Sequence, residues 1–237
     1  MSARFSWFVT GTDTEIGKTL ISSTLVHGLV QAGIRTAAMK PVAAGASAVM
    51  TAQGEVWHND DADRLAQAAN VSLPAELAAP YLLREAAAPH IAARLEQVSI
   101  DLDHIHRCYD RVAARAEAVV VEGVGSFCVP LTDTADTADL ARQLGLPVIM
   151  VVGLRLGCIS HALLTAQAIA ARGLTLAGWI ANTVDPGMAY AEDNVDALAR
   201  RLPAPLLGCI PRLASPLPAA AAAYLDFSCL PGWPGKQ

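Results

Sequence analysis

Val9-Thr10-Gly11-Thr12-Asp13-Thr14-Glu15-Ile16-Gly17-Lys18-Thr19 is the stretch on which the reading of this chain turns. An apolar segment (Phe5, Trp7, Phe8, Val9) runs into it, and an amphipathic one (Leu20, Ile21, Leu25, Leu29) leaves it. Strand, glycine-bounded loop and helix, in that order, form the setting of a phosphate-binding loop. The unpaired amides of the first helical turn and the positive end of the macrodipole favour an anion there. Lys18 can reach terminal phosphate oxygens, and the Thr19 hydroxyl can ligate Mg2+. The plain alternative is a glycine-rich turn that caps a helix and binds nothing; the strand, the helix and the second glycine argue against it. Gly11 and Gly17 enclose five residues, one more than the common form of this loop.

Outward from the loop, apolar runs alternate with helical segments. Strands are expected near Ser6–Thr10, Thr36–Pro41, Ala118–Glu122, Val148–Val152, Leu176–Asn182 and Leu206–Ile210. Continuous apolar runs of this kind suit a parallel sheet covered on both faces. Helices are expected near Lys18–Ala32, Ala62–Ala69, Ile105–Ala116, Thr137–Leu144, Ser160–Arg172 and Ala191–Arg201, with Gly33, Gly145 and Gly173 closing three of them. The fold class is therefore α/β: a doubly wound, mostly parallel sheet with helices on both faces. Ligands of such sheets bind at the carboxyl ends of the strands. Residues 1–237 read as one domain with a loosely structured Ala- and Pro-rich tail from about 215. Ala43–Asn59, rich in small residues and without periodicity, reads as the most mobile segment.

Composition limits the function classes. Hydrophobic residues make up 53% and charged ones 16%, so much of the chain must be buried or lie at a subunit interface. A net charge of -5 without a basic block argues against a nucleic-acid partner. Apolar runs such as Leu146–Leu154 are too short to span a membrane, and the amino terminus lacks signal-peptide layout. Five cysteines without Cys-x-x-Cys spacing fit reduced thiols in a cytoplasmic protein.

Further candidates sit where strands end. Lys40, before Pro41, can neutralise a transferring phosphoryl group or simply finish a strand at the surface. Asn59-Asp60-Asp61 opens a helix, and a second aspartate is more than a cap needs, so Asp61 is a candidate Mg2+ ligand. Glu122-Gly123-Val124-Gly125 ends a buried strand in an acid followed by glycines, which suits a metal or phosphate site. Gly157-Cys158-Ile159-Ser160 leads into a helix whose amides can take an anion, although Ser160 as a plain cap is an equal reading. Asn182-Thr183 and Pro211-Arg212-Leu213 end two more strands and can frame a purine.

Together these segments resemble the dethiobiotin synthetase family, of the P-loop NTPase superfamily, from about residue 5 to about residue 213. The match rests on the Thr-Asp-Thr-Glu loop, Lys40-Pro41-Val42-Ala43, Val121-Glu122-Gly123, Leu156-Gly157-Cys158-Ile159 with His161-Ala162, Leu174-Thr175-Leu176-Ala177-Gly178-Trp179, and Pro205-Leu206-Leu207-Gly208 before Ile210-Pro211. The resemblance implies an ATP- and Mg2+-dependent homodimer acting on 7,8-diaminopelargonate and CO2 or bicarbonate. A substrate amine becomes a carbamate, the γ-phosphoryl group activates it as a carbamic-phosphoric anhydride, and the neighbouring amine closes the ureido ring. It implies nucleotide contacts from Glu15, Ile16, Gly17, Lys18, Thr19, Leu20, Asp61, Glu122, Gly123, Val124, Gly125, Asn182, Thr183, Pro211, Arg212 and Leu213. Mg2+ falls to Thr19, Asp61 and Glu122, and catalysis to Lys40 and Lys18. Substrate falls to Thr14, Lys40 and Ala44, with Gly157, Cys158, Ile159 and Ser160 of the partner protomer receiving its carboxylate.

Ala44 and Ser160 stand where the family often carries Ser and Asn. Ser126-Phe127 replaces Gly-Trp, and Thr183 replaces Asp. These departures bear on affinity and nucleotide preference rather than on reaction type. The rivals are a glutaminase-fed amidoligase, for which the chain has no room, and a partition or septum-positioning ATPase switch of the ParA/MinD kind. The switch proteins use a lysine early in the loop, and positions 11–16 hold none. Replacing Lys40 is expected to spare folding and abolish turnover.

Overall fold

Alternate residues of the central strands point to opposite faces, and in this chain both faces are apolar. The computed structural model describes residues 3–51 and 54–234. Its elements in order are β1 (Phe5–Gly11), α1 (Lys18–Gln31), β2 (Thr36–Met39), β3 (Val42–Ala44), β4 (Ser47–Thr51), β5 (Gly54–His58), α2 (Asp60–Ala68), α3 (Ala75–Ala78), β6 (Tyr81–Leu83), α4 (Pro89–Leu95) and α5 (Leu102–Ala113). Then follow β7 (Ala118–Glu122), α6 (Thr137–Leu144), β8 (Val148–Leu154), α7 (Cys158–Ala171), β9 (Leu176–Thr183), α8 (Ala191–Ala199), β10 (Leu206–Ile210), α9 (Pro218–Ala222) and a 3-10 turn at Phe227–Cys229. Six strands form one sheet in the order β10-β9-β8-β1-β7-β2, and every pair in it is parallel.

Two cores follow from the alternation. Phe8, Val119, Val121, Met150 and Val152 join Ile105, Val112, Leu140, Ile169 and Leu198 of α5 to α8 on one face. Trp7, Val9, Val120, Ile149 and Val151 join Ile21, Leu25 and Leu29 of α1 on the other. The doubly wound α/β class expected from the alternation is thus the observed one. All six expected central strands are present.

Two expectations need correction. The segment 43–59 is not a featureless loop: β3 pairs with β6, and β4 pairs antiparallel with β5, Val49 opposite Val56, in a hairpin whose tip lies outside the described residues. Paired backbone amides hold it, which small side chains do not reveal. Nor is the segment from 215 loosely structured as far as residue 234. Pro218 starts α9, Ala221, Phe227 and Leu230 are buried, and Trp233 lies 5.0 Å from the Phe227 ring and 5.8 Å from that of Trp7. Apolar anchors spaced three apart cover α1 at Gly28, where a helix without a side chain leaves room for both rings.

Candidate active site

Register brings the chemistry together. Met39 of β2 pairs with Val121 of β7, so the next residues, Lys40 and Glu122, come side by side at the carboxyl ends of their strands. Val9 of β1 pairs with the same Glu122, which places the loop after β1 over both. The result is a cleft of about 1010 Å³ lined by Thr14, Glu15, Gly17, Lys18, Thr19, Leu20, Lys40, Ala44, Asp61, Val124, Gly125, Asn182, Thr183, Pro211, Arg212 and Leu213, among others. Sixteen positions singled out from the sequence therefore meet in one cavity.

At its floor, Lys40 Nζ lies 2.5 Å from Glu122 Oε1, 3.0 Å from Asp61 Oδ2 and 3.2 Å from the Gly123 carbonyl oxygen. Glu122 is fully buried and Lys40 nearly so. Burial opposes the Lys40 charge, but the Glu122 and Asp61 carboxylates outweigh it and raise its pKa above the ordinary lysine value. Burial likewise opposes the Asp61 charge. Lys40 and the Thr19 hydroxyl outweigh it and hold that carboxyl below its usual range. Lys40 is therefore not the surface lysine of the plain alternative.

The Thr19 hydroxyl lies 2.6 Å from Asp61 Oδ1 and 2.9 Å from Glu122 Oε1. A hydroxyl carries one proton, so only one of these carboxylates can receive it at a time. Among the described residues Glu122 Oε2, which is buried, has no hydrogen-bond partner. A buried carboxylate oxygen without a partner is costly. An oxygen-seeking cation among Thr19, Asp61 and Glu122 removes that cost, and the donor set is the hard-oxygen one that suits Mg2+. Among the described residues no group of three or more His, Cys, Asp or Glu gathers to hold a metal. Mg2+ at this place would accordingly complete its shell with phosphate oxygens and water, as is usual for this ion.

The capping alternative for Asp61 is resolved by its neighbour. Asn59 caps α2, its side chain accepting from the Asp61 and Ala62 amides at 3.1 and 3.3 Å, which frees the Asp61 carboxylate for the cleft.

The phosphate loop is shaped by close approaches. Gly17 has φ +89°, and a Cβ there would come within 2.4 Å of Asn182 Nδ2, which donates instead to the Ile16 carbonyl at 2.8 Å. Gly153 of β8, level with Asn182 of β9, leaves the space that the Ile16 side chain fills; a Cβ would lie 2.5 Å from it. Ile16 thus buries its side chain beneath the loop, so only its backbone faces a ligand. The Lys18 Nζ donates to the Asp13 carbonyl at 2.8 Å. Burial and the nearby Lys40 charge lower its pKa to about 8.

Gly157, Cys158, Ile159 and Ser160 do not line this cleft. Gly157, in a left-handed conformation, is the N-cap of α7, with no capping side chain among the described residues; Ser160, inside the first turn, is exposed and does not cap the helix. Cys158 is buried, a packing residue rather than a nucleophile. Arg64, on α2 three residues beyond Asp61, also lines the cleft and was missed from sequence. Its only signal was the i, i+3 spacing from Asp61.

A family model described as an AAA domain matches residues 6–218. Over 234 residues, 99% of this chain and 99% of the relative, the sequence is 74% identical to the ATP-dependent dethiobiotin synthetase BioD of Janthinobacterium sp. (strain Marseille). Among solved structures, the MinD cell division protein of Aquifex aeolicus matches with a TM-score of 0.53 at 14% identity, over 89% of this chain and 83% of that one. The septum site-determining protein MinD of Pyrococcus horikoshii OT3, complexed with Mg-ADP, matches with a TM-score of 0.51 at 17% identity, over 97% and 87%. At such identities the likeness is one of fold.

Proposed function

This chain belongs to the AAA-domain family and, within it, to the ATP-dependent dethiobiotin synthetases, and from that premise we propose how its cleft carries out the reaction. The protein is an ATP-dependent ligase of biotin biosynthesis that makes dethiobiotin from diaminopelargonate and CO2. One observation supports the assignment of roles above the others: Lys40, Asp61, Glu122 and Thr19 converge beneath the phosphate loop.

In our reading the loop amides and Lys18 hold the ATP phosphates, while Asn182, Thr183 and Pro211–Leu213 border the base. Thr19, Asp61 and Glu122 hold Mg2+, which supplies charge neutralisation of the triphosphate when bound. Thr14 and Ala44 face the diamine. One of its amines adds to CO2 and loses a proton to give a carbamate. A carbamate oxygen then attacks the γ-phosphorus of ATP, the bond to the β-phosphate breaks, and ADP leaves. Lys40, kept charged by its two carboxylates, stands beside both anions and stabilises the charge that builds on the transferring group. The second amine attacks the anhydride carbon, phosphate leaves, and the ring closes.

We also propose a homodimer, in which the Gly157–Ser160 segment of one protomer receives the substrate carboxylate of its partner. Support comes from α7, ten of whose fourteen residues are apolar although only Cys158, Ala162 and Ile169 are buried. Leu156, in the turn before α7, and Leu164, on the helix, stand 92% and 61% exposed, as residues of an interface would. Five free thiols favour work in the reducing cytoplasm. No helix among the described residues is long and apolar enough to cross a membrane.

The experiment is phosphate release from MgATP with the diamine and bicarbonate supplied singly and together, with mass spectrometry of the product. Release only with both, matched by ring-closed product, is expected. Release that ignores the diamine would overturn the assignment.

A further inference from the structure

Asp13 is the most heavily engaged residue of the phosphate loop, yet its carboxylate does not face the cleft. Its carbonyl oxygen accepts from Lys18 Nζ, and its Oδ1 accepts from the Thr14 amide at 2.7 Å. Its Oδ2 pairs with Nη2 of Arg155, beyond the end of β8. Arg155 also lies outside the cleft, and its carbonyl accepts from the Cys158 amide at 3.0 Å in the turn that opens α7. Next along the loop, Glu15 is held at φ +57°, a left-handed conformation that costs a non-glycine residue free energy and persists only where surroundings enforce it.

We propose that Arg155 is a positioning residue for nucleotide binding: by gripping the Asp13 carboxylate it orients the 13–15 turn that presents Lys18. This rests on the reading of the cleft as an ATP site. Arg155 and Asp13 are 44% and 36% exposed, and a pair so open to water adds little to stability. Its value lies in geometry. With Oδ1 on the Thr14 amide and Oδ2 on Arg155, the side chain of Asp13 is fixed at both oxygens. The carbonyl that anchors the Lys18 ammonium is fixed with it. The same pair joins the phosphate loop to the turn that starts α7.

The test compares wild type with R155A, R155K, D13A and D13A/R155A, by ATP calorimetry and by steady-state kinetics. R155A is expected to raise both the Kd and the KM for ATP about three- to tenfold. The KM for the diamine, kcat at saturating ATP and the melting temperature should stay close to wild type. R155K, which keeps the charge, should recover most of the loss. R155A should add almost nothing in the D13A background, because Arg155 acts through Asp13. An ATP affinity changed less than about twofold, effects that simply add, or a kcat loss that tracks a lowered melting temperature would each overturn the proposal. Wild-type protein that binds ATP but releases phosphate without diamine would instead count against the functional reading, leaving the calorimetric comparison valid.

Discussion

Lys40→Gln should unfold far more easily than the wild type, not merely lose activity. Reading Lys40 as a group whose loss spares the fold fails because its ammonium is the counter-charge of a fully buried carboxylate. At 2.5 Å from Glu122 Oε1, an effective dielectric of about 20 gives a gross attraction of about 6–7 kcal/mol. Desolvation offsets much of that in the intact pair. The variant, however, keeps the buried Glu122 charge and loses the cation, and such removals cost about 3–5 kcal/mol. For a domain of this size the loss is a fall in melting temperature of about 6–20 °C. Urea titration in metal-free buffer is the assay, read as a lower midpoint at unchanged slope. Millimolar Mg2+ should return part of the loss, because the cation takes over the charge that Gln lacks. Lys40→Met with Glu122→Gln, which removes both charges, should be more stable than Lys40→Gln alone. A Lys40→Gln midpoint equal to wild type without metal would refute the reasoning. Turnover, measured where the variant is folded, should fall by about 10²–10³.

Other outcomes can be checked independently. Lys18 titrates near 8 in the free protein, and a bound polyanion raises that value. Affinity for ATP should therefore be level below about pH 8 and weaken above it, with proton uptake on binding there; calorimetry at pH 8.5 in two buffers of different ionisation enthalpy would detect no uptake if this is wrong. Arg64→Ala should raise the KM for ATP about tenfold through loss of a charge-assisted phosphate contact, and an unchanged value would remove Arg64 from the site. Trp233→Ala should lower stability by about 2 kcal/mol by uncovering Trp7 and Phe227, while an unchanged urea midpoint would show that the tail contributes nothing.

The central sheet was legible because β1, β7, β8 and β9 are buried on both faces and are therefore mostly apolar until their carboxyl ends. The small elements were not. β3, β6 and α3 have three or four residues each, too few for a period, and β4–β5 is recognised by its pairing rather than its side chains. The tail was misread because prolines and alanines dominate its composition, whereas three large residues spaced three apart, Phe227, Leu230 and Trp233, determine its packing. Within the site, Lys40 and Glu122 could be read because charges at the ends of apolar strands are rare, and Asp61 because a second aspartate at a helix start is more than a cap needs. That Lys40 and Glu122 neutralise each other depends on the β2–β7 register, which no local pattern encodes. Arg64 and Arg155 look like ordinary surface cations until the fold puts one beside the cleft and the other beside Asp13.

Asn182 reaches across from β9 to grip the Ile16 carbonyl, in the space that Gly17 leaves by lacking a side chain. The same residue borders the mouth where a base would sit. Turn and rim are thus cast as a single piece before any guest arrives. Little freedom is left to forfeit on docking, and a nucleobase seated askew would be felt directly at the far end of its own phosphate chain.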